Sequence, residues 1–151
     1  MTRTPFILFD LAGATYGIPS QEVKQMEMIE QITPVPNAPP SVEGVVYSRG
    51  EVIPAMNLRV RFGFETVPLT LRSRLIIVER AGRTVGLIVD SAREFIWIPD
   101  DLIQPAPEAI VGVKGRYVEA IATLGNRLVV LIDLDEVLTL DPLYLPTSED
   151  V

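Results

Sequence analysis

Asp90 and Asp133 are the residues whose type and position most invite a chemical reading, because each closes an apolar run, Gly86-Leu87-Ile88-Val89-Asp90 and Leu131-Ile132-Asp133. Two carboxylates facing one another across a cleft at about 5 to 9.5 Å would suit glycoside-type hydrolysis. Nothing in the spacing brings these two together, and aspartates at strand ends more commonly bond nearby backbone. A second candidate, Gly112-Val113-Lys114-Gly115-Arg116, has the glycines and bases of a phosphate loop but neither the Walker spacing nor a following amphipathic helix. The chain contains no Cys and no His. That removes thiolate nucleophiles, disulfides, imidazole bases, Ser-His triads and the usual zinc ligands. With most catalytic constellations excluded, recognition by contact becomes the stronger reading. Arg59, Arg61, Arg72 and Arg74 concentrate positive charge in a chain of net charge −7, as solvated linker residues or as a surface for an acidic protein partner. Trp97, within Phe95-Ile96-Trp97-Ile98, is core or groove lining, and Trp and Arg are also the residues most often found as interface hot spots.

One further arginine stands at a turn. Gly44-Val45-Val46-Tyr47-Ser48 and Glu51-Val52-Ile53-Pro54-Ala55-Met56-Asn57-Leu58 flank Arg49-Gly50, two apolar runs around a short glycine-containing reversal, which predicts a β-hairpin with Arg49 at its tip. Residues 6–12 and 15–18 predict a strand, turn and strand. Over residues 20–32, Val23, Met26 and Ile29 lie three apart, so a helical turn competes with a strand. The four prolines of Thr33-Pro34-Val35-Pro36-Asn37-Ala38-Pro39-Pro40 exclude helix and predict an extended linker. Leu58 to Phe64 suits a short helix, residues 65–72 a loop, and Asp133 to Leu138 a closing helix with acids at its positive end. Residues 141–151 read as a tail.

The chain repeats itself. Phe6–Ile18 matches Leu75–Leu87 in residue type at an offset of 69, with Ala, Gly, Thr and Gly identical. At an offset of 76, Val118–Ala122 repeats Val42–Val46 and Leu128–Leu134 repeats Val52–Leu58. The second copy has Gly125 where the first has Arg49. Two β-rich copies, about 5–70 and 71–140, predict one domain over 1–140 built of two small barrels, since closure removes exposed strand edges. A chain of 151 residues is long enough to bury roughly 70% of its unfolded surface. The acidic balance argues against nucleic acid, whose phosphates need Lys and Arg. No stretch approaches the ~20 apolar residues of a membrane helix, and residues 1–5 lead into a strand without a signal peptide's apolar core, which predicts a cytoplasmic protein. Arginine outnumbers lysine 11 to 2, a bias that protein interfaces share.

In their order and spacing, Val35-Pro36-Asn37-Ala38-Pro39, Gly44-Val45-Val46, Arg49-Gly50, Pro54, Leu58, Gly86-Leu87-Ile88-Val89-Asp90 and Leu131-Ile132-Asp133-Leu134 resemble the CheW-like family of chemotaxis coupling proteins across about residues 5–140. The resemblance implies an all-β fold: two intertwined five-stranded SH3-like barrels around a shared hydrophobic core, with short helical segments. It further implies an adaptor without enzymatic activity or cofactor. Such an adaptor links the cytoplasmic tip of chemoreceptors to the regulatory domain of a CheA-type histidine autokinase, which has the same fold. By position it assigns receptor contact to Arg49 and Gly50 and, in a groove between the barrels, to Ile76, Gly86, Ala92 and Phe95. Kinase contact falls to Val23, Val35 and Gly44, glycine suiting a place where another backbone approaches closely. Three departures bear on partner identity. Tyr47-Ser48 stands where the family favours Asn-Leu, and Asn57 where it favours Asp. A coupling protein of a twitching or gliding pathway would look similar. A small-ligand-binding or enzymatic barrel, or a self-associating module, are the readings from other classes.

Overall fold

The structure is a computed structural model that describes residues 2–107 and 115–139. Residues 112–114 of the phosphate-loop candidate Gly112–Arg116 and the tail at 141–151 lie outside the described residues. Eleven strands are described: β1 (Arg3–Leu11), β2 (Ala14–Pro19), β3 (Val23–Met28), β4 (Val42–Ser48), β5 (Glu51–Asn57), β6 (Arg74–Arg80), β7 (Arg83–Val89), β8 (Ser91–Pro99), β9 (Ile103–Pro105), β10 (Val118–Leu124) and β11 (Arg127–Ile132). Two short helices, α1 (Leu58–Arg61) and α2 (Leu134–Leu138), follow β5 and β11. Between 20 and 32 the strand prevails: a single 3₁₀ turn, Ser20–Glu22, leads into β3, which pairs antiparallel with β6. Met26 therefore faces outward rather than joining Val23 on one helical face.

One sheet has the order β8-β1-β2-β11-β10-β9 and the other β3-β6-β7-β5-β4. Written this way the repeat is visible, because β1, β2, β10 and β11 occupy the places of β6, β7, β4 and β5. The β2–β11 and β5–β7 pairings are both parallel, and the remaining pairings are antiparallel. The first sheet carries β9 as an additional strand. The fold is all-β, two SH3-like barrels that share a core. Each draws strands from both sequence copies: β3 to β7 complete the second barrel, while the amino-terminal hairpin β1–β2 joins β8 to β11 in the first.

Apolar runs without alternation are explained by strands buried on both faces. In β6, Leu75 and Ile77 point into the second barrel with Val46, Ile53, Ala55 and Ile88, while Ile76 and Val78 point the other way into the shared core. In β1, Leu8 lies inside the first barrel with Ile98, Val129 and Leu131, and Phe9 and Leu11 face the shared core. The shared core also takes Leu58 from α1 and Leu134, Val137 and Leu138 from α2.

Each helix is capped by the residue before it. Asp133 Oδ1 accepts from Glu136 N at 3.3 Å, and Asn57 Oδ1 accepts from Arg59 N at 3.0 Å. Asn57 is thus an equivalent cap to the aspartate the family favours, with one addition: its Nδ2 donates to Glu43 Oε1 at 2.8 Å. An Asn57→Asp substitution keeps the cap but sets two carboxylates against each other. It should lower stability by about 1 kcal/mol, measured as a fall in the urea midpoint at neutral pH. An unchanged midpoint would show that Glu43 turns away at no cost.

Candidate interaction site

The β4–β5 hairpin closes through Ser48↔Glu51, so Arg49 and Gly50 form a two-residue turn. Both have left-handed backbone, with φ of 49° and 84°, as turns that match strand twist require. Gly50 suits this directly. Arg49 accepts it as Ala12 and Ala81 do at φ of 50° and 53° before Gly13 and Gly82. Alanine in the same conformation elsewhere in the molecule shows that the guanidinium is not needed to make the turn. The Arg49 side chain is exposed and makes no hydrogen bond or ion pair among the described residues. On the outer face of the same hairpin, Tyr47 and Val52 sit directly opposite each other and are 76% and 67% exposed. Two large apolar side chains beside an unpaired arginine have the composition of a protein contact rather than a solvated turn.

A cleft of about 650 Å³ opens beside the tip, between β4 and the end of β3. Leu75 and Val46 form its floor, Glu27, Glu30 and Tyr47 its rim, and Arg49 one end. The linker pairs with β4 nearby. Thr33 exchanges both backbone hydrogen bonds with Val45, each at 2.8 Å.

Most of the remaining charged candidates have structural work; the exception is Arg72, which is exposed and whose guanidinium makes no hydrogen bond or ion pair among the described residues. Arg59 binds Asp90 through two parallel bonds, Nε to Oδ1 at 2.8 Å and NH2 to Oδ2 at 2.6 Å. Asp90 also accepts the Ala12 N–H at 2.9 Å, so α1, the β7–β8 crossover and the β1–β2 turn are fastened together. The Arg59 guanidinium holds the Asp90 carboxyl below its ordinary range, against the opposing effect of partial burial. Arg61 lies against the C-terminal end of α2, donating to Val137 O at 2.9 Å and to the Glu136 and Thr139 carbonyls, and stacks over Tyr117. Arg74 donates to Leu71 O and Ser73 O. Asp133 is the α2 cap. The two strand-end aspartates are therefore held by separate partners, and the arginine cluster is largely spent inside the molecule.

The CheW-like domain family matches residues 5–141. The chain belongs to that family. It is 34% identical over 137 residues to the chemotaxis protein CheW of Bacillus subtilis, covering 91% of this chain and 88% of that protein. The chemotaxis protein CheW of Klebsiella aerogenes is 29% identical over 140 residues, 93% of this chain and 84% of its own length. The crystal structure of the scaffolding protein TtCheW from Thermoanaerobacter tengcongensis aligns with a TM-score of 0.81 at 33% identity, over 87% of this chain and 90% of that one.

Of the residues marked by the CheW-like pattern, the structure brings some to the surface and not others. Arg49 and Gly50 form the exposed tip in the second barrel. Phe95 is 53% exposed on β8 of the first barrel, edge-to-face with Trp97 at 6.1 Å, and the Arg3 guanidinium lies 4.8 Å over Trp97. Ala92, further back on β8, is half-buried opposite Phe9. Ile76 has no exposed surface, because its face of β6 is covered by the shared core. Gly86 is likewise buried, and a Cβ there would meet Leu75 Cδ1 at 2.8 Å, so glycine serves packing inside the barrel. Val23 is half-buried against the shared core, and Val35 is exposed on the linker. Gly44 is buried beneath the start of the linker. The backbone that approaches it belongs to its own chain, since a Cβ would lie 2.7 Å from the Thr33 carbonyl carbon and 3.0 Å from Pro34 Cα. Sequence reasoning passed over Gln25 and Glu27, which face into the second barrel opposite Ile77 and Leu75. Polar residues at alternate positions of a strand next to an apolar one were the available signal.

Proposed function

We propose that this protein is a non-enzymatic adaptor that couples the cytoplasmic tips of chemoreceptors to the regulatory domain of a CheA-type histidine autokinase. The observation that carries the reading is the family match over nearly the whole chain together with an Arg49-Gly50 tip whose guanidinium is unpaired among the described residues. The name scaffolding protein borne by TtCheW supports the same role. Val35, exposed on the linker that packs over Gly44, is the surface residue offered to the kinase, with Phe95 and the Arg49 tip offered to receptors. No catalytic step or cofactor enters this function, in keeping with a chain that has neither Cys nor His. The adaptor works in the cytoplasm, recruited to membrane-bound receptors through protein contact. No described helix is long and apolar enough to cross a membrane.

The test is binding of the purified protein to a soluble receptor hairpin fragment and to the kinase regulatory domain of the same organism. Complexes at micromolar concentration or tighter are expected, and absence of binding to both overturns the reading. An Arg49→Glu substitution reverses a charge that makes no hydrogen bond or ion pair among the described residues. It should weaken receptor binding by about 2 kcal/mol, roughly 30-fold, while the circular dichroism spectrum and urea midpoint stay as in the parent. Undiminished receptor affinity would remove Arg49 from the contact.

A further inference from the structure

The Arg49 tip is held in place by a polar group that the fold does not require. Inside the second barrel, Gln25 Nε2 donates to Ser48 Oγ at 2.8 Å and to Glu27 Oε2 at 2.8 Å, and Ser48 Oγ donates to Glu27 Oε2 at 3.1 Å. Two of these bonds join β3 to the last residue of β4 across the cleft, where no backbone pairing links the two strands, and the third ties Gln25 to Glu27 within β3. Ser48 is buried and stands immediately before Arg49. A second, exposed tie runs alongside, since Lys24 Nζ lies 3.9 Å from Glu51 and 3.4 Å from Glu79.

The other barrel shows what the fold does at the equivalent place. The repeat offsets of 69 and 76 set Ser48 against Leu124, and Glu27, opposite Leu75, against Ile96, opposite Phe6. Leu124 and Ile96 both pack on the apolar interior of the first barrel. Gln25 corresponds to Glu94, which turns instead to an ion pair with Arg127 at 2.9 Å. Apolar closure thus satisfies this architecture, and it leads to a tip occupied by Gly125. A part-buried polar triad adds little net stability over apolar packing, because desolvation offsets much of what its bonds return. What it supplies is direction: hydrogen bonds fix one register and one orientation, while apolar contacts tolerate sliding.

We propose that Ser48, with Gln25 and Glu27, is a positioning residue that holds the Arg49-Gly50 tip at a fixed place on the barrel and so sets where Arg49 meets its partner. The proposal rests on the adaptor reading for the identity of that partner. It explains why serine stands where the other barrel has leucine, and why the polar triad occurs at the tip that carries an arginine.

The experiment is a double-mutant cycle on the full-length chain, with a soluble receptor hairpin fragment as the binding probe and amide hydrogen exchange as a probe-free readout. Ser48→Ala should raise exchange at the amides of Arg49, Gly50 and Glu51 by about tenfold and weaken binding of the fragment by about tenfold. Arg49→Ala leaves the turn intact, since alanine holds the same backbone at Ala12 and Ala81, and should weaken binding by about 30-fold. Because Ser48 acts through Arg49, the double variant should bind no more than about threefold more weakly than Arg49→Ala alone. Ser48→Thr, which keeps the hydroxyl, should restore both exchange and affinity, and it separates loss of the bond from failure to fold. Full additivity of the two substitutions, or unchanged exchange at the tip in Ser48→Ala, overturns the proposal. Parent protein that binds neither the fragment nor the kinase regulatory domain overturns the adaptor reading instead, and the exchange measurement still decides the positioning role.

Discussion

Gly44→Ala should lower stability by about 3 kcal/mol, a large share of the 5 to 15 kcal/mol typical of a domain. The reason is the linker. At its start, Thr33 is stitched to Val45 by two backbone bonds of 2.8 Å. That stitch passes so close to Gly44 that a methyl group would fall inside the envelope of the Thr33 carbonyl, 2.7 Å from its carbon. The obstacle is backbone, which cannot rotate away as the end of a side chain does. Gly44 also has φ of 155°, which an L-residue adopts only under strain. Two responses are open to the chain: retain the stitch with distorted strand geometry, or release the linker and uncover Val46 and the barrel interior. Both reduce the urea midpoint, and the second also makes residues 33–40 susceptible to protease. Gly50→Ala is the control. It too has positive φ, 84°, but nothing stands within 4 Å of its added carbon, so its cost should be only about 1 kcal/mol. Equal midpoints for the two variants would show that conformational preference alone, and not the approach of Thr33, accounts for glycine at position 44.

The contrast between these glycines marks what could be read from the sequence. The hairpin around Arg49-Gly50 was legible because turn chemistry is local: two apolar runs and a glycine suffice. The duplication was legible for the same reason, since matching runs keep their order and spacing. Membership of a two-barrel fold followed. What remained hidden depends on which segments meet across long separations. Gly44 looked like a site for a visiting backbone, and only the path of the linker shows that the visitor is Thr33. Ile76 sits in an apolar run whose outward and inward positions are indistinguishable by pattern, because both faces of β6 are covered. By sequence, Arg59, Arg61, Arg72 and Arg74 suit either linker charge or a partner surface. Arg59 and Arg61 bond Asp90 and the end of α2, partners up to 78 residues away, while Arg74 bonds its own 71–73 turn. The same limit applies to Ser48, whose bonds to Gln25 and Glu27 span the cleft between two strands that do not pair.

Arg59 and Asp90 give the second large effect. Their side chains are 17% and 28% exposed, and the pair is bidentate, so removal of the carboxylate leaves a mostly buried guanidinium facing an amide that cannot accept both of its bonds. Asp90→Asn should therefore lower stability by about 2 to 3 kcal/mol, somewhat below the 3 to 5 kcal/mol of fully buried pairs because water reaches this one. The Ala12 N–H, which Asp90 accepts at 2.9 Å, can still bond the asparagine oxygen, so the deficit reports on the pair with Arg59. Acid titration separates the charge from the shape. The Asp90 carboxyl is held below its ordinary range first by the Arg59 bond and then by the Ala12 amide. A depressed folded-state value means the stabilisation is complete above the unfolded value of about 3.9 and disappears as pH falls through the folded value. The difference between parent and Asp90→Asn should accordingly be constant from pH 7 to about 5, narrow below about 4, and vanish once Asp90 is protonated in the folded state. The Arg80–Asp135 pair, whose carboxylate is also depressed, is present in both proteins and cancels in the comparison. A gap that persists unchanged to about pH 2 would assign the loss to altered packing at the β7–β8 crossover and not to the charge. A gap that closes on schedule would establish Asp90 as the electrostatic fastener between the two barrels.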